Sequence, residues 1–459
     1  MTDTPAWLEA ALAYVPLWLG YQMRLTEQPG LSVAITHGGE VVFETAFGHA
    51  DLATGEAMTP RHRFRVASHS KSFTAAGVMK LREQGRLKLD DTAGQYVQGL
   101  HPEIAAATIT QLLSHTAGIH RDGIDNNYWA GRYPFDDAAA LRKDLAVAPT
   151  IPANTRLKYS NHGFGLAGLV IEAVTGELYR AWIEREVVGA AGLTEVSADA
   201  PLPDGVPLAS GHSGKALLGR RLVFPGNQPT HALAAATGFV STAADLARFF
   251  AQLDPGAPVS FLTPASRREL SRPQWRDAYS PAPRSYGLGT ISGEVGGWAW
   301  FGHSGGFQGY ITRTANLPAQ GLTLCLLTNA IDGPAEVWME GVMHILKRFE
   351  AEGAPGAANA DWTGRWWSAW GAADLVPMGD KVLMASPALG NPMATAAELA
   401  VDGPDAAHIT QAGAFDRYGE VVRRVRDAAG RVTSIDHAGT TLLPEAALAE
   451  ELLGRYGGS

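Results

Sequence analysis

Residues 30–51, GLSVAITHGGEVVFETAFGHAD, alternate apolar and polar side chains on either side of Gly38-Gly39. A period of two marks a half-buried strand, and a Gly-Gly pair supplies the positive φ of a tight turn. The stretch therefore predicts a β-hairpin. Strand patterning returns in YGLGTISGEVGGWAWFGHSGGFQGYITRTANLP and GLTLCLLTNA, within residues 286–330, which read as successive antiparallel strands. Between these regions the period becomes helical. From Ser68, Phe73, Val78 and Leu81 recur at helix spacing and Gly85 supplies a stop. TITQLLS (108–114) starts a second helix with Thr108 or Thr110 as N-cap, and HGFGLAGLVIEAVTG forms a third that ends at Gly176. STAADLARFFAQL is a fourth, capped by Thr242 with Asp245 three residues on. EVWMEGVMHILKRFEAE closes this part as a helix, whereas residues 120–156, rich in Asp, Asn, Tyr, Trp and Pro, predict irregular cover over a cleft. The pattern is α+β, with an antiparallel sheet flanked by helices.

At 459 residues the chain has length for two domains, and 46% hydrophobic against 18% charged residues supports a large core. Residues 352–360, EGAPGAANA, read as a linker. Beyond it DWTGRWW, KVLMAS, AELAVDG and GRVTSIDHAG are short strand-like pieces, so a small all-β, barrel-like domain is expected over residues 361–459, after a first domain over 1–351. The formal charge of −9 and the absence of a Lys/Arg-rich run argue against a nucleic-acid partner. The single cysteine, Cys325, allows no intrachain disulfide and reads as a buried strand thiol. The opening MTDTPAWLEAALAYVPLWLGYQ carries Asp3 and Glu9 and no basic residue before Arg24, so it fits neither a signal peptide nor a spanning helix. It predicts a docking helix and a cytoplasmic protein, although a chain trimmed of its leader would read the same.

Two serines compete as nucleophile. Residues 302–306, GHSGG, match G-x-S-x-G, the strand-to-helix elbow that would expose Ser304. The strand before it is present, but FQGYITRTANLP after it reads as another strand. His344, His408 and His437 follow it only in a helix and in the β domain. Ser68 stands in Ser68-His69-Ser70-Lys71, where a spacing of three puts serine and lysine on one helix face. A hydroxyl is a weak nucleophile until a base takes its proton, and a desolvated lysine serves as that base. A capping serine beside a solvated lysine is the plain alternative, as a turn before a helix is for Tyr159-Ser160-Asn161.

The order S-x-x-K, Y-x-N, H-x-G, together with LLSHTAGI (112–119), KYSNHGFGLAG (158–168), GFVSTAADLARFF (238–250) and YGLG (286–289), resembles the penicillin-recognising serine enzymes. These are the class C β-lactamases, D-alanyl-D-alanine carboxypeptidases, D-aminopeptidases and related esterases. The resemblance runs from about residue 28 to 350. It implies a β-lactamase/transpeptidase-like domain with a helical subdomain, and a serine hydrolase without metal or other cofactor. Ser68 would be acylated, Lys71 would take its proton, Tyr159 would shuttle protons and Asn161 would hold Lys71 and the substrate amide. The backbone N–H groups of Ser68 and Gly306 would form the oxyanion hole. His303, Ser304 and Gly305 would face the substrate from the opposite wall.

His303 stands where most β-lactamases carry lysine, and resembles instead the streptomycete carboxypeptidase and the D-aminopeptidases. The arginine that family carboxypeptidases place after YGLG is missing from TISGEV, with only Arg284 and Arg313 nearby. Asp122 and Asp125, in HRDGIDNN, offer a receiver for a substrate ammonium, or a solvated loop. The C-terminal part resembles the lipocalin-like barrel appended to some of these hydrolases, a plan shared by stand-alone thioesterases that cyclise nonribosomal peptides. Trp362, Trp366, Trp367 and Trp370 would then form a barrel core or an acyl groove. The expected partner is a small peptide, amide or ester, with no nucleic acid and no membrane span, and the oligomeric state is left open. A peptide-cyclising acyltransferase and a catalytically silent penicillin-binding sensor are the alternatives.

Overall fold

The computed structural model describes residues 4–224, 226–278, 283–413 and 417–457. Contacts divide the chain into two compact units, Gln28–Met339 and a second made of Met1–Glu27 with Glu340–Ser459. No helix among the described residues is long and apolar enough to cross a membrane.

The larger unit is built on a ten-stranded sheet. Inside it, strand Gly30–His37 is paired antiparallel with Glu40–Asp51 on one side and Leu322–Thr328 on the other. The hairpin turns at Gly38 and Gly39, both at positive φ (59° and 91°), as the Gly-Gly pair requires. Leu322–Thr328 continues to Tyr310–Leu317, Trp298–Gly302 and Ile291–Val295. Strands from the two ends of the unit thus lie side by side within the sheet. These two strands are buried on both faces, which is why LTLCLLT is a continuous apolar run. Cys325 sits there, fully buried, and its burial pushes the thiol pKa well up.

Helix Ala243–Gln252 packs on these strands. Thr242 caps it as its sequence indicates, accepting from the Asp245 amide. The Asp245 carboxylate does not reach back, however; it accepts from the Thr194 and Glu195 amides (2.9 and 2.7 Å). Thr108, not Thr110, caps helix Ile109–Leu113, in a capping box with Gln111. Helix Asn161–Thr175 ends at Gly176 in the left-handed conformation. Helix Ser70–Glu83 is buried on nearly every side rather than along one stripe. Phe73 stacks between Phe239 (4.3 Å) and Phe249 (3.7 Å), and Gly77 admits Trp182 and Ile183 where a Cβ would collide. Residues 120–156 are irregular except for a one-turn helix, Asn127–Ala130, and helix Ala138–Leu145. Asp137 caps the latter by accepting from the Ala139 and Ala140 amides, a signal the compositional reading passed over.

In the second unit, eight strands from Gly364–Ser368 to Thr440–Leu442 form an antiparallel meander in chain order. Reciprocal backbone bonds between Trp367 and Leu443 (2.7 and 2.8 Å) bring its first and last strands together, so the barrel is nearly closed. Trp362 and Trp366 lie in its core with Leu375, Val382, Ile409 and Ile435. Trp370, by contrast, is exposed. Helix Ala6–Leu25 belongs to this unit: Tyr14 donates to Asp374 (2.9 Å), which Arg365 also grips through two bonds.

Candidate active site

Ser68 lies in a one-turn helix, Ala67–His69, between strand Phe64–Arg65 and helix Ser70–Glu83. Ala67 takes φ 50°, rare for a residue with a Cβ, and makes the corner sharp. Ser70 pins that corner, donating to the Ala67 carbonyl (2.5 Å) and accepting from the Phe239 amide (2.9 Å). Lys71 follows in the first turn, fully buried. Its Nζ is 3.1 Å from Ser68 Oγ, 2.7 Å from Asn161 Oδ1 and 2.8 Å from the Ala236 carbonyl. Burial holds the Lys71 pKa well below the ordinary lysine value; Asp122 opposes the shift and Arg121 adds to it.

Tyr159 OH donates to Ser68 Oγ at 2.9 Å. Burial pushes this phenol up to about 12, so it is a neutral hydroxyl near neutral pH. Ser160, not Asn161, caps the helix that follows, accepting from the Gly163 amide (2.8 Å) and donating to the His120 carbonyl (2.5 Å). The Asn161 side chain is therefore released from capping. Its Nδ2 donates to Asp122 Oδ1 (2.5 Å), which turns its Oδ1 to Lys71.

GHSGG spans the end of one strand, Trp298–Gly302, and the first three residues of the next, Ser304–Phe307. No helix follows, so the elbow geometry is absent; the chain turns into strand Tyr310–Leu317. Among the described residues, Ser304–Phe307 pairs with that strand alone. Gly306 lines one cleft with Ser68. Gly305 faces away from it: a Cβ there would run into the Val66 carbonyl and the Thr312 hydroxyl, so glycine lets the strand lie against the serine's corner. Ser304 is half-buried and does not line the cleft.

His303 is buried rather than turned to the cleft. Its Nδ1 meets the Ser304 carbonyl (2.6 Å), which can only accept, so Nδ1 carries the proton and Nε2 accepts from Tyr286 OH (2.9 Å). Burial, then His69 and Lys71, keep its pKa well below the usual imidazole value.

The cleft is an open space of about 1620 Å³. Tyr128, Trp129, Phe135 and Phe307 form aromatic wall, and Gln228 and Gln308 add amides joined at 2.9 Å. Asp122 is buried with its carboxylate already taken by Asn161, by Trp129 Nε1 (3.0 Å) and by Arg121 Nε (3.0 Å). Asp125 is exposed, accepts from Asn127, and does not line the cleft. Asp122 lines the cleft, and beside it the same loop presents Arg121, the one Lys or Arg lining the cleft among the described residues. Arg284 pairs with Glu336, and Arg313 stacks 4.6 Å over Trp300; neither reaches the cleft.

Residues 22–337 match the family model described as Beta-lactamase. The chain belongs to the beta-lactamase family. That match places it among serine hydrolases of the penicillin-recognising kind. Across 94% of this chain and 99% of the other, the fold is similar to the octameric penicillin-binding protein homologue from Pyrococcus abyssi (21% identity, TM-score 0.66). It is also similar to D-amino acid amidase from Ochrobactrum anthropi SV3 complexed with D-phenylalanine (21% identity, TM-score 0.63), over 74% of this chain and 99% of that one. Among curated proteins, Protein flp of Staphylococcus aureus (strain NCTC 8325 / PS 47) is 28% identical over 162 residues, 34% of this chain and 32% of that protein. The chain thus spans about a third of the length of that relative.

In this beta-lactamase family member, three further residues surround the Ser68 cluster, and the sequence alone assigns them no role. His115, in LLSHTAGI, packs 4.1 Å from the Tyr159 ring and 4.6 Å from Tyr286. Its Nδ1 accepts from the Ser160 amide (3.1 Å), and burial keeps it neutral. Tyr286, in YGLG, links His115 to His303. Arg121 lies 5.1 Å over the Tyr159 ring. The motif matches pointed at the first two, but only their packing shows what they touch.

Proposed function

We propose that the protein cleaves an amide or ester bond of a peptide-like substrate through an acyl-enzyme on Ser68. The observation that carries this reading is the position of Ser68 Oγ between Lys71 Nζ (3.1 Å) and Tyr159 OH (2.9 Å). A neutral Lys71 amine has two N–H groups and one lone pair. Asn161 Oδ1 and the Ala236 carbonyl can only accept, so they take both N–H groups and leave the lone pair for the Ser68 proton. Desolvation favours that neutral state.

Ser68 Oγ then attacks the substrate carbonyl carbon while its proton passes to Lys71. The oxyanion is received by the N–H groups of Ser68 and Gly306, a type of contact worth about 10²–10³ in rate. As the intermediate collapses, the departing amine or alkoxide takes the Tyr159 proton, which the Lys71 ammonium replaces. Water attacks the acyl-enzyme along the reverse proton path. A phenol near 12 suits this relay and does not suit a standing phenolate base.

The cleft is larger than the roughly 300–1,000 Å³ of a small-molecule pocket, which supports a substrate of several residues. Its aromatic wall supports an apolar side chain, and the D-amino acid amidase relative supports a bond next to a D-residue. His303 is neutral and buried, so it offers no cation to a β-lactam carboxylate, and β-lactam turnover is expected to be slow. The same acyl-enzyme released to an internal amine would make a cyclic peptide.

A panel of D- and L-aminoacyl amides, p-nitrophenyl esters, nitrocefin and peptidyl thioesters tests the reading, with Ser68→Ala as blank. Mass spectrometry should find the acyl group on the Ser68 peptide, and product masses separate linear acid from cyclic peptide. Turnover retained in Ser68→Ala would refute the assignment.

A further inference from the structure

We infer that Asp136, Asp144 and His162 form a binding site for a divalent cation of the zinc type, one that ties the cleft wall to the helix carrying Asn161. Their ligand atoms lie within 4.8 Å of one another. His162 Nε2 is 3.3 Å from Asp144 Oδ2 and 3.5 Å from Asp136 Oδ2. An N–H···O hydrogen bond spans about 2.7–3.2 Å, so both separations are too long for one. Ligands held about 2.0–2.2 Å from a tetrahedral zinc sit roughly 3.3–3.6 Å apart, and both separations fit that edge.

The polar atoms at the centre lack other partners. His162 is 1% exposed, and neither of its ring nitrogens has a hydrogen bond; nor does Asp136 Oδ2. Buried polar atoms left so are rare, and a cation among them would satisfy Nε2 and the carboxylate together. The space is kept by Gly123, at φ 76°. A Cβ there would collide with Asp144 Oδ2 and lie 3.0 Å from His162 Nε2. Asp136 and Asp144 keep 13% and 18% of their side-chain surface exposed, which gives an ion a way in. Two carboxylates match the charge of a divalent ion, and the imidazole favours zinc-like cations over calcium or magnesium.

The placement gives the ion a task. Asp136 follows Phe135 in the cleft wall, Asp144 lies on helix Ala138–Leu145, and His162 adjoins Asn161, which holds Lys71. One ion would fasten these three segments through polar groups, where their other contacts are apolar packing.

Full-length protein stripped with a chelator and titrated with zinc chloride should bind one ion at micromolar or tighter Kd and melt at a higher temperature. Asp144→Asn should weaken that binding at least about tenfold. His408→Ala, which removes an exposed His–Asp pair in the barrel unit, should leave it unchanged. Zinc-edge anomalous diffraction of wild-type crystals should place the ion between the three side chains, and decides the matter alone if Asp144→Asn does not fold. Loss of the site to His408→Ala, equal affinity in Asp144→Asn, an ion found elsewhere, or a cluster that stays ion-free would each overturn the inference. None of these measurements depends on Ser68 being a nucleophile.

Discussion

Asp122 accepts the Asn161 amide at 2.5 Å, and that bond decides which end of the amide meets Lys71. With Nδ2 committed to the carboxylate, Oδ1 is the atom left for the lysine. Asp122 also raises the Lys71 pKa against the pull of burial. In Asp122→Asn that support is lost, so the Lys71 pKa falls further. The acidic limb of the kcat/KM profile should move to lower pH while the plateau drops. A limb that stays in place would show that Asp122 does not act on the base.

Lys71→Arg keeps a cation but removes a group that can lose its proton. Acylation should fall about 10²–10⁴-fold at every pH, as expected for loss of a general base, and should not recover in alkali. Tyr159→Phe should lose a similar factor when acylation of both variants is followed by stopped flow, more with poor leaving groups than with p-nitrophenyl esters. That contrast follows because only a poor leaving group needs the phenol's proton.

The two serines separate cleanly by covalent labelling. A fluorophosphonate should modify wild type and Ser304→Ala, and fail on Ser68→Ala. Gly305→Ala should destabilise the fold by about 1–3 kcal/mol in urea unfolding, because the added methyl meets the Val66 carbonyl.

Three buried histidines, His69, His115 and His303, are held below the ordinary imidazole pKa, His69 to about 3. Their unfolded values near 6.5 lie above these folded ones, so below that pH the unfolded chain binds more protons. The contribution of these histidines should be level above about pH 7 and fall as pH drops below 6.5, while Lys71, also held low by burial, adds a further rise in stability with pH above the neutral range. Each histidine adds up to about 1.4 kcal/mol per pH unit, measurable by urea unfolding at pH 7.5, 6 and 5.

In the barrel unit, Trp362→Ala should cost about 3–5 kcal/mol, since the ring is fully buried beneath Arg424 (4.3 Å). Trp370→Ala should change stability by less than about 0.5 kcal/mol, because that side chain is 97% exposed. Equal effects would contradict this packing.

Much was legible in the sequence because it depends on near neighbours in the chain. Gly38-Gly39 dictates a tight turn, Gly176 and Thr242 mark helix ends, and a lysine three residues after Ser68 meets it within one turn. The order of the motifs sufficed to name the family. Local pattern also misled: GHSGG imitates an elbow, and Asn161 imitates a cap that Ser160 supplies.

Only the tertiary structure decided what the remaining polar groups do. Asp122 reads as a loop carboxylate and is the buried anchor of Asn161; His303 reads as a substrate-facing residue and is a neutral partner of Tyr286. Asp136, Asp144 and His162 are unremarkable along the chain and become a cluster when helix Ala138–Leu145 meets helix Asn161–Thr175. The physical reason is common to all three. A helix or turn is specified by bonds a few residues long, whereas a buried charge takes its meaning from whichever distant groups replace its water.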